Sequence, residues 1–430
     1  MRTTLVIAML ATALAAPAWA ERADLPPEAI VAEALDNAPA VLAAVARIEA
    51  ARAAARTLRT TTGEITASSS YIRRSVTGER TYDEFDASLQ RSFRLPGKGA
   101  LDRAAGAFGV QVAELRAEDA HHQTAVTLSA LWHDWLAAAE IHRAELRVIA
   151  NQRASLGAVR RRTALRDAAQ LDVDQAQSAL ALAEAQAAAS RTAVERARAT
   201  LAATYPLIPL PVEPPTLATP ELPAEPLETL RRLVVERSHE IGAAARDADR
   251  TSSLAARARR DRFADPSVGV RMFSERNGLE RGIGVFASVP LGGGNRHALA
   301  DQASAEANAI AIELQQVRRQ ITVVADTGVT DATTRLEAWD ATRRSLSSAS
   351  TAVARTERGY ALGAIDLTDL LYARRQALDA ERAEINARAE ANRAIHKLRV
   401  DAHVTWADRH DPGHEDGGAT PAHGVGPTKE

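Results

Sequence analysis

An internal duplication constrains this chain more than any other feature. Val41–Arg52 (VLAAVARIEAAR) lines up with Ile241–Ser252 (IGAAARDADRTS), 200 positions further on. Phe93–Gly99 (FRLPGKG) matches Ser288–Gly294 (SVPLGGG), which puts Gly97 and Gly292 195 residues apart. Leu171–Ala176 (LDVDQA) matches Thr368–Ala373 (TDLLYA) at an offset of 197. A long, nearly constant offset means a repeated unit. Each copy reads as a helix, two short strands around a polar loop, and two very long helices. Such a unit suits a tube assembled from several copies better than an enzyme built around one pocket.

Composition narrows the choice further. Hydrophobic residues make up 46% of the 430 positions but aromatics only 4%, because alanine supplies much of the apolar count. Small side chains let helices pack closely along their length but build poor compact cores. The formal net charge is −2 and the basic residues are scattered, so nucleic acid is not an expected partner. Arg2, the apolar run Leu5–Ala16 and the small-x-small site Ala18-Trp19-Ala20 read as a secretory signal peptide over 1–20. The sequence has no cysteine, hence neither disulfides nor the lipid-bearing cysteine of a lipoprotein. No other stretch reaches 18 consecutive apolar residues, so a membrane crossing must use strands.

The expected organisation is mainly α with a small β part. A first repeat spans 21–205, with strands over 65–73 and 82–93 and long helices over 99–162 and 171–204. A proline-rich connector (206–235) holds eight prolines between Pro206 and Pro226. The second repeat, 236–409, repeats the plan with strands over 266–273 and 282–290 and helices over 298–362 and 367–409. The tail, 410–430, has the composition of a disordered segment. A helix from Glu28 to about Thr61 is expected to break near Asn37-Ala38-Pro39. Leu371, Leu378 and Ile385 recur every seven residues; Asn392 and Arg399 then break the repeat, and the stripe slips to Ala391, Ile395, Leu398 and Ala402.

In the second strand Phe85, Ala87, Leu89 and Phe93 alternate with Asp86, Ser88, Gln90 and Ser92. In the second copy Phe286 stands out on an otherwise small or polar face. An open four-stranded sheet would leave unpaired edges in hydrocarbon, so strands crossing a bilayer must close. Four are too few for a lumen, since eight only just hold side chains. Three copies would pool twelve, with Asp86, Ser88, Gln90 and Ser92 facing water and Phe85, Leu89 and Phe93 facing lipid. Taken alone, the strands favour a soluble sheet with one wet face; the signal peptide, the duplication and the long helices together reverse that reading.

Several stretches resemble the TolC-type outer-membrane efflux family. Glu33–Pro39 (EALDNAP) resembles its opening helix start, although Asn37 falls one position early. Leu95-Pro96-Gly97-Lys98 resembles the turn from barrel hairpin into long helix. Tyr360-Ala361-Leu362-Gly363 followed by Asp369–Arg374 (DLLYAR) resembles the tight turn at the periplasmic tip of the second helical pair. The resemblance implies a homotrimer with a twelve-stranded barrel in outer-membrane lipid and an α-helical tunnel across the periplasm of a Gram-negative bacterium. It also implies docking to a periplasmic adaptor protein and an inner-membrane pump, and a pump of the resistance–nodulation–division type is the leading expectation. No cofactor and no catalysis are implied.

The family's tunnel often narrows at aspartate rings supplied by the second tip. Asp369 fits the first such position, six residues after Gly363, whereas the second is Tyr372. Asp366 is a substitute carboxylate, and Asp369 is equally readable as the cap of the returning helix. In the first repeat Asp172 matches Asp369, and Arg166 stands where the turn glycine is expected. The cargo expected of such a duct is metal cations or small organic compounds. Protein export beside an ATP-driven transporter and a soluble periplasmic coiled-coil scaffold are the alternatives, and no nucleophile–base pair, phosphate loop or zinc spacing favours an enzyme.

Overall fold

The computed structural model describes residues 24–60 and 64–406; the expected signal peptide and histidine-containing tail lie outside them. The duplication is visible element by element. Helices α1 (Glu28–Asp36) and α2 (Pro39–Thr60) have counterparts in α5 (Leu227–Glu236) and α6 (His239–Arg260). Strands β1 (Ile65–Ser75) and β2 (Thr81–Ser92) correspond to β3 (Ser267–Glu275) and β4 (Glu280–Ser288). The long helices α3 (Lys98–Ala164) and α4 (Gln170–Thr204) recur as α7 (Gly294–Ala361) and α8 (Leu367–Asp401). The lengths agree closely: 67 and 68 residues for the first member of each long pair, 35 and 35 for the second.

At 1.5 Å per residue, α3 and α7 each run about 100 Å. Shorter helices cover each of them in two halves. Near the sheet, Gly106 of α3 lets the Ala55 backbone of α2 approach so closely that a Cβ there would sit 3.1 Å from it. Farther along, α4 takes over, with Arg153 paired to Glu184 at 2.8 Å. On α7 the same division appears: Arg262 of the α6–β3 link pairs with Asp301 at 2.9 Å, and Trp339 donates to Glu384 of α8 at 2.7 Å. The chain thus forms a wall of four columns in the order α2/α4, α3, α6/α8, α7.

The wall is pinned where the repeats meet. Buried Glu145 of α3 accepts from Arg382 of α8, and Glu140 from Arg388. The largest apolar cluster lies at mid-height, where Trp132, Trp135 and Leu136 of α3 meet Leu35 of α1, Leu201 of α4 and Ile385 of α8. The proline-rich connector crosses here and is bound by its own carbonyls and amides. Leu217 N donates to Glu140 at 2.7 Å, and Asn392 donates to Ala218 O at 2.8 Å. Tyr205, where the connector begins, donates to Thr124 O at 2.7 Å, and burial pushes its phenol up to about 12. Among the described residues no single helix is long and apolar enough to cross a membrane.

The four strands form one antiparallel sheet in the order β1-β2-β3-β4. Both hairpins pair internally, and β2 joins β3 across the repeats with Ser88 opposite Arg271. The outer edges of β1 and β4 are unpaired among the described residues.

Candidate functional site

Period-two alternation sorts the sheet into two faces of different chemistry. Cross-strand rows Ala67–Leu89–Val270–Val285 and Ser69–Ala87–Met272–Ile283 place an apolar band on one face. Most of these large side chains are open to the surroundings; Val285 is 83% exposed. The band ends in charge, with Arg91 at the foot and Arg73, Asp83 and Arg281 near the hairpin tips.

The other face carries Asp86, Ser88, Gln90 and Ser92, and the register aligns them with partners on both neighbouring strands. Ser88 Oγ lies 2.8 Å from Ser68 Oγ, and Ser92 Oγ lies 2.9 Å from Ser267 Oγ. Asp86 is ion-paired with Arg271, and Arg74 pairs with Glu84 at 2.6 Å. The residue missed in the sequence reading is therefore Arg271, which faces Asp86 only through the β2–β3 register. Phe286 on this face has a local cause. Its ring covers Gly269, where an added Cβ would meet the ring at 2.6 Å, so the aromatic fills the gap left by a strand glycine.

The far end of the wall holds the second group of expected residues. Helix α7 ends in a turn with Gly363 at φ 74°, and Ala364 N donates to Gly359 O at 2.9 Å, a Schellman closure. The α3–α4 turn closes the same way, with Asp167 N on Arg162 O at 2.8 Å, but Arg166 occupies the left-handed position at φ 63°. The two turns cap their returning helices differently. At α8 the N-cap is Asp366, whose carboxylate accepts from Asp369 N at 2.9 Å. At α4 the N-cap is Ala169, and Asp172 reaches back to accept its N–H at 3.1 Å. Capping thus falls to Asp366 and not to Asp369, whose exposed carboxylate makes no ion pair among the described residues.

One turn along, Tyr372 is 62% exposed and its hydroxyl accepts from Gln376 at 2.8 Å. The two tips are packed together by Val159, Val173, Leu367 and Leu370, and the Arg162 guanidinium lies over the Tyr360 ring at 5.4 Å. Leu165 and Leu362, at corresponding places on the two turns, are 80% and 79% exposed. Among the described residues no group of three or more His, Asp or Glu side chains is arranged to hold a metal ion.

Residues 230–400, nearly all of the second repeat, match the family model described as outer membrane efflux protein. A comparison with curated protein sequences finds no match. Among solved structures the chain is similar to the outer-membrane channel OprN, with 21% identity over 88% of this chain and 90% of that one and a TM-score of 0.73. It is also similar to the outer membrane protein VceC of Vibrio cholerae, at 17% identity, 89% and 99% coverage and a TM-score of 0.71. The outer membrane channel CmeC of Campylobacter jejuni gives 17% identity, 95% and 96% coverage and a TM-score of 0.71. The second repeat thus matches the outer membrane efflux protein family, and the chain shares the fold of these outer-membrane channels over nearly its whole described length.

Proposed function

We propose that three copies of this chain close into one passive exit duct, a twelve-stranded barrel in the outer membrane continued by a helical tunnel. The carrying observation is that both open edges of the sheet coincide with open edges of the wall. Strand β4 runs directly into α7, which buries only Ala300, Ala325 and Ala332 along its 68 residues, while Leu299, Ile312 and Val323 stay exposed. Strand β1 follows α2, the opposite outer column. A head-to-tail contact of β4/α7 with β1/α2/α4 of the next copy pairs the strand edges and covers α7 at once. In that arrangement the face with Asp86, Ser88, Gln90 and Ser92 lines water, and the apolar band meets lipid.

The tip with Gly363, Asp366, Asp369, Tyr372 and Asp172 is the periplasmic gate in this reading. Three copies of the uncommitted Asp369 carboxylate form a ring that attracts cations. The exposed Leu165 and Leu362 offer apolar contacts to a periplasmic adaptor, which couples the duct to an inner-membrane pump of the resistance–nodulation–division type. The cargo is metal cations or small organic compounds, handed over by that pump. The N-terminal signal peptide delivers the chain, without lipidation.

The test is the mass of the protein extracted in mild detergent, by light scattering corrected for detergent, followed by single-channel recording. A trimer confined to the outer-membrane fraction, with a cation preference weakened in Asp369→Ala, is expected. A monomer in the soluble periplasmic fraction would overturn the reading.

A further inference from the structure

Where the sheet meets the helical wall, a concavity of about 740 Å³ is lined by Arg59 of α2, Arg91 of β2, Arg94 of the exit turn and Arg103 of α3. Among the described residues no carboxylate lines it. Arg94 is committed elsewhere, to buried Asp102 at 3.0 Å and to Leu58 O at 3.2 Å. Arg59, Arg91 and Arg103 are exposed and form no ion pair among the described residues. Three cations gathered without a counter-charge repel one another unless an anion joins them.

The position of the concavity selects the anion. Arg91 stands opposite Ile65 and Val268 in the strand register, on the same face as Leu89 and Val270, one row below the apolar band. Phe93, on that side and also lining the concavity, is 50% exposed. An anion held here would lie at the inner end of the band, where a lipid places its phosphate and lets its chains run up the apolar face. The first turn of α3, at Gly99 and Ala100, adds amide N–H groups that no helical carbonyl satisfies. Guanidinium groups suit a phosphodiester because their N–H donors match its oxygens in pairs.

We infer that this concavity binds the phosphate of an anionic phospholipid of the inner leaflet, held by Arg59, Arg91 and Arg103. The inference rests on the barrel reading, since it needs the apolar band to sit in lipid. A bound lipid in each copy would fix the height of the barrel in the bilayer at the junction with the tunnel.

The test uses the full chain, purified in mild detergent and delipidated. Melting is followed as short-chain phosphatidylglycerol, phosphatidylcholine or inorganic phosphate is added. Phosphatidylglycerol is expected to raise the melting temperature saturably, and phosphatidylcholine and phosphate to do so weakly or not at all. The variant Arg59→Gln/Arg91→Gln/Arg103→Gln should bind phosphatidylglycerol roughly a hundredfold more weakly. Arg160→Gln, an exposed arginine change near the distant tip, should bind normally. If the triple variant fails to fold, the single change Arg103→Gln is expected to show the same direction of effect.

An equal shift with inorganic phosphate would overturn the lipid assignment in favour of a free anion. Equal binding by the triple variant would overturn the site. A soluble, barrel-less protein would be recognised beforehand by fractionation and would defeat the duct reading itself.

Discussion

The ammonium group of Lys98 is buried at the foot of the first hairpin, 2.8 Å from Asp265 Oδ1 and 2.9 Å from Asp261 Oδ1, both on the second repeat. It also donates to Phe263 O at 2.7 Å. Around it, Asp102 joins Arg94 and Arg257, so α3 of one repeat is locked to the α6–β3 link of the other just below the sheet. The second repeat has Gly293 at the position matching Lys98, so this lock exists once per chain.

Removing the charge should therefore hurt more than any surface change. Lys98→Met would take the cation from Asp265, leaving it the Leu95 N–H at 2.9 Å, and the side-chain donor from the Phe263 carbonyl, at a cost of about 3–5 kcal/mol. A lower temperature for the heat-dependent gel shift of the extracted protein is the expected outcome. An unchanged shift would mean that solvent reaches these groups.

The same network sets an acid limit. Burial alone would raise the Asp261 carboxyl, but the hydrogen bonds from Arg257 and Lys98 outweigh it and hold the group below the usual carboxylate range. A carboxyl depressed in the folded state stabilises fully above its unfolded pKa of about 3.9, and that contribution is lost as pH falls through the lower folded value. Wild-type stability should thus decline below about pH 4, and Asp261→Asn should show a smaller decline from a lower starting point. Melting temperatures measured from neutral pH to pH 3 would decide the matter, and parallel curves for the two proteins would count against the network.

The two tip turns make a paired comparison. Arg166 holds a left-handed conformation that glycine takes at Gly363. A non-glycine residue there costs roughly 1 kcal/mol, so Arg166→Gly should stabilise the first tip and Gly363→Ala should weaken the second by a similar amount. Hydrogen exchange at Leu165 to Ala169 and at Leu362 to Asp366 reads each turn locally. Equal and opposite changes are expected, and a loss of protection in both variants would mean that the Arg166 side chain matters more than its backbone.

What the sequence revealed depended on how local the controlling physics is. The doubled plan, the broken first helix and the alternation in β2 were legible because helix and strand periods are written in neighbouring residues. Asn392 was read as a fault in the heptad seam, yet it is fully buried there, because it holds the connector through Ala218 O. The partner of Asp86 was invisible, since Arg271 lies 185 positions away and only the β2–β3 register brings the two together. Which carboxylate caps α8 also needed coordinates: one hydrogen bond, from Asp369 N to Asp366, assigns the cap to Asp366.

The Arg271–Asp86 pair leads to the last prediction, which concerns the charge of the water path in the proposed barrel. Asp86 and Arg271 neutralise each other, as do Glu84 and Arg74 on the same face. Each pair therefore adds little net field at mid-height. Arg271→Ala would uncover one carboxylate per copy, three around the barrel, at separations comparable to the Debye length of about 10 Å in 0.1 M salt. The potassium-to-chloride permeability ratio, from reversal potentials across a salt gradient, should rise severalfold. Asp86→Ala should move it the opposite way by uncovering arginine, and the double variant should return close to wild type. Matching shifts in both single variants, or none in either, would show that this face of the sheet does not line the conducting path.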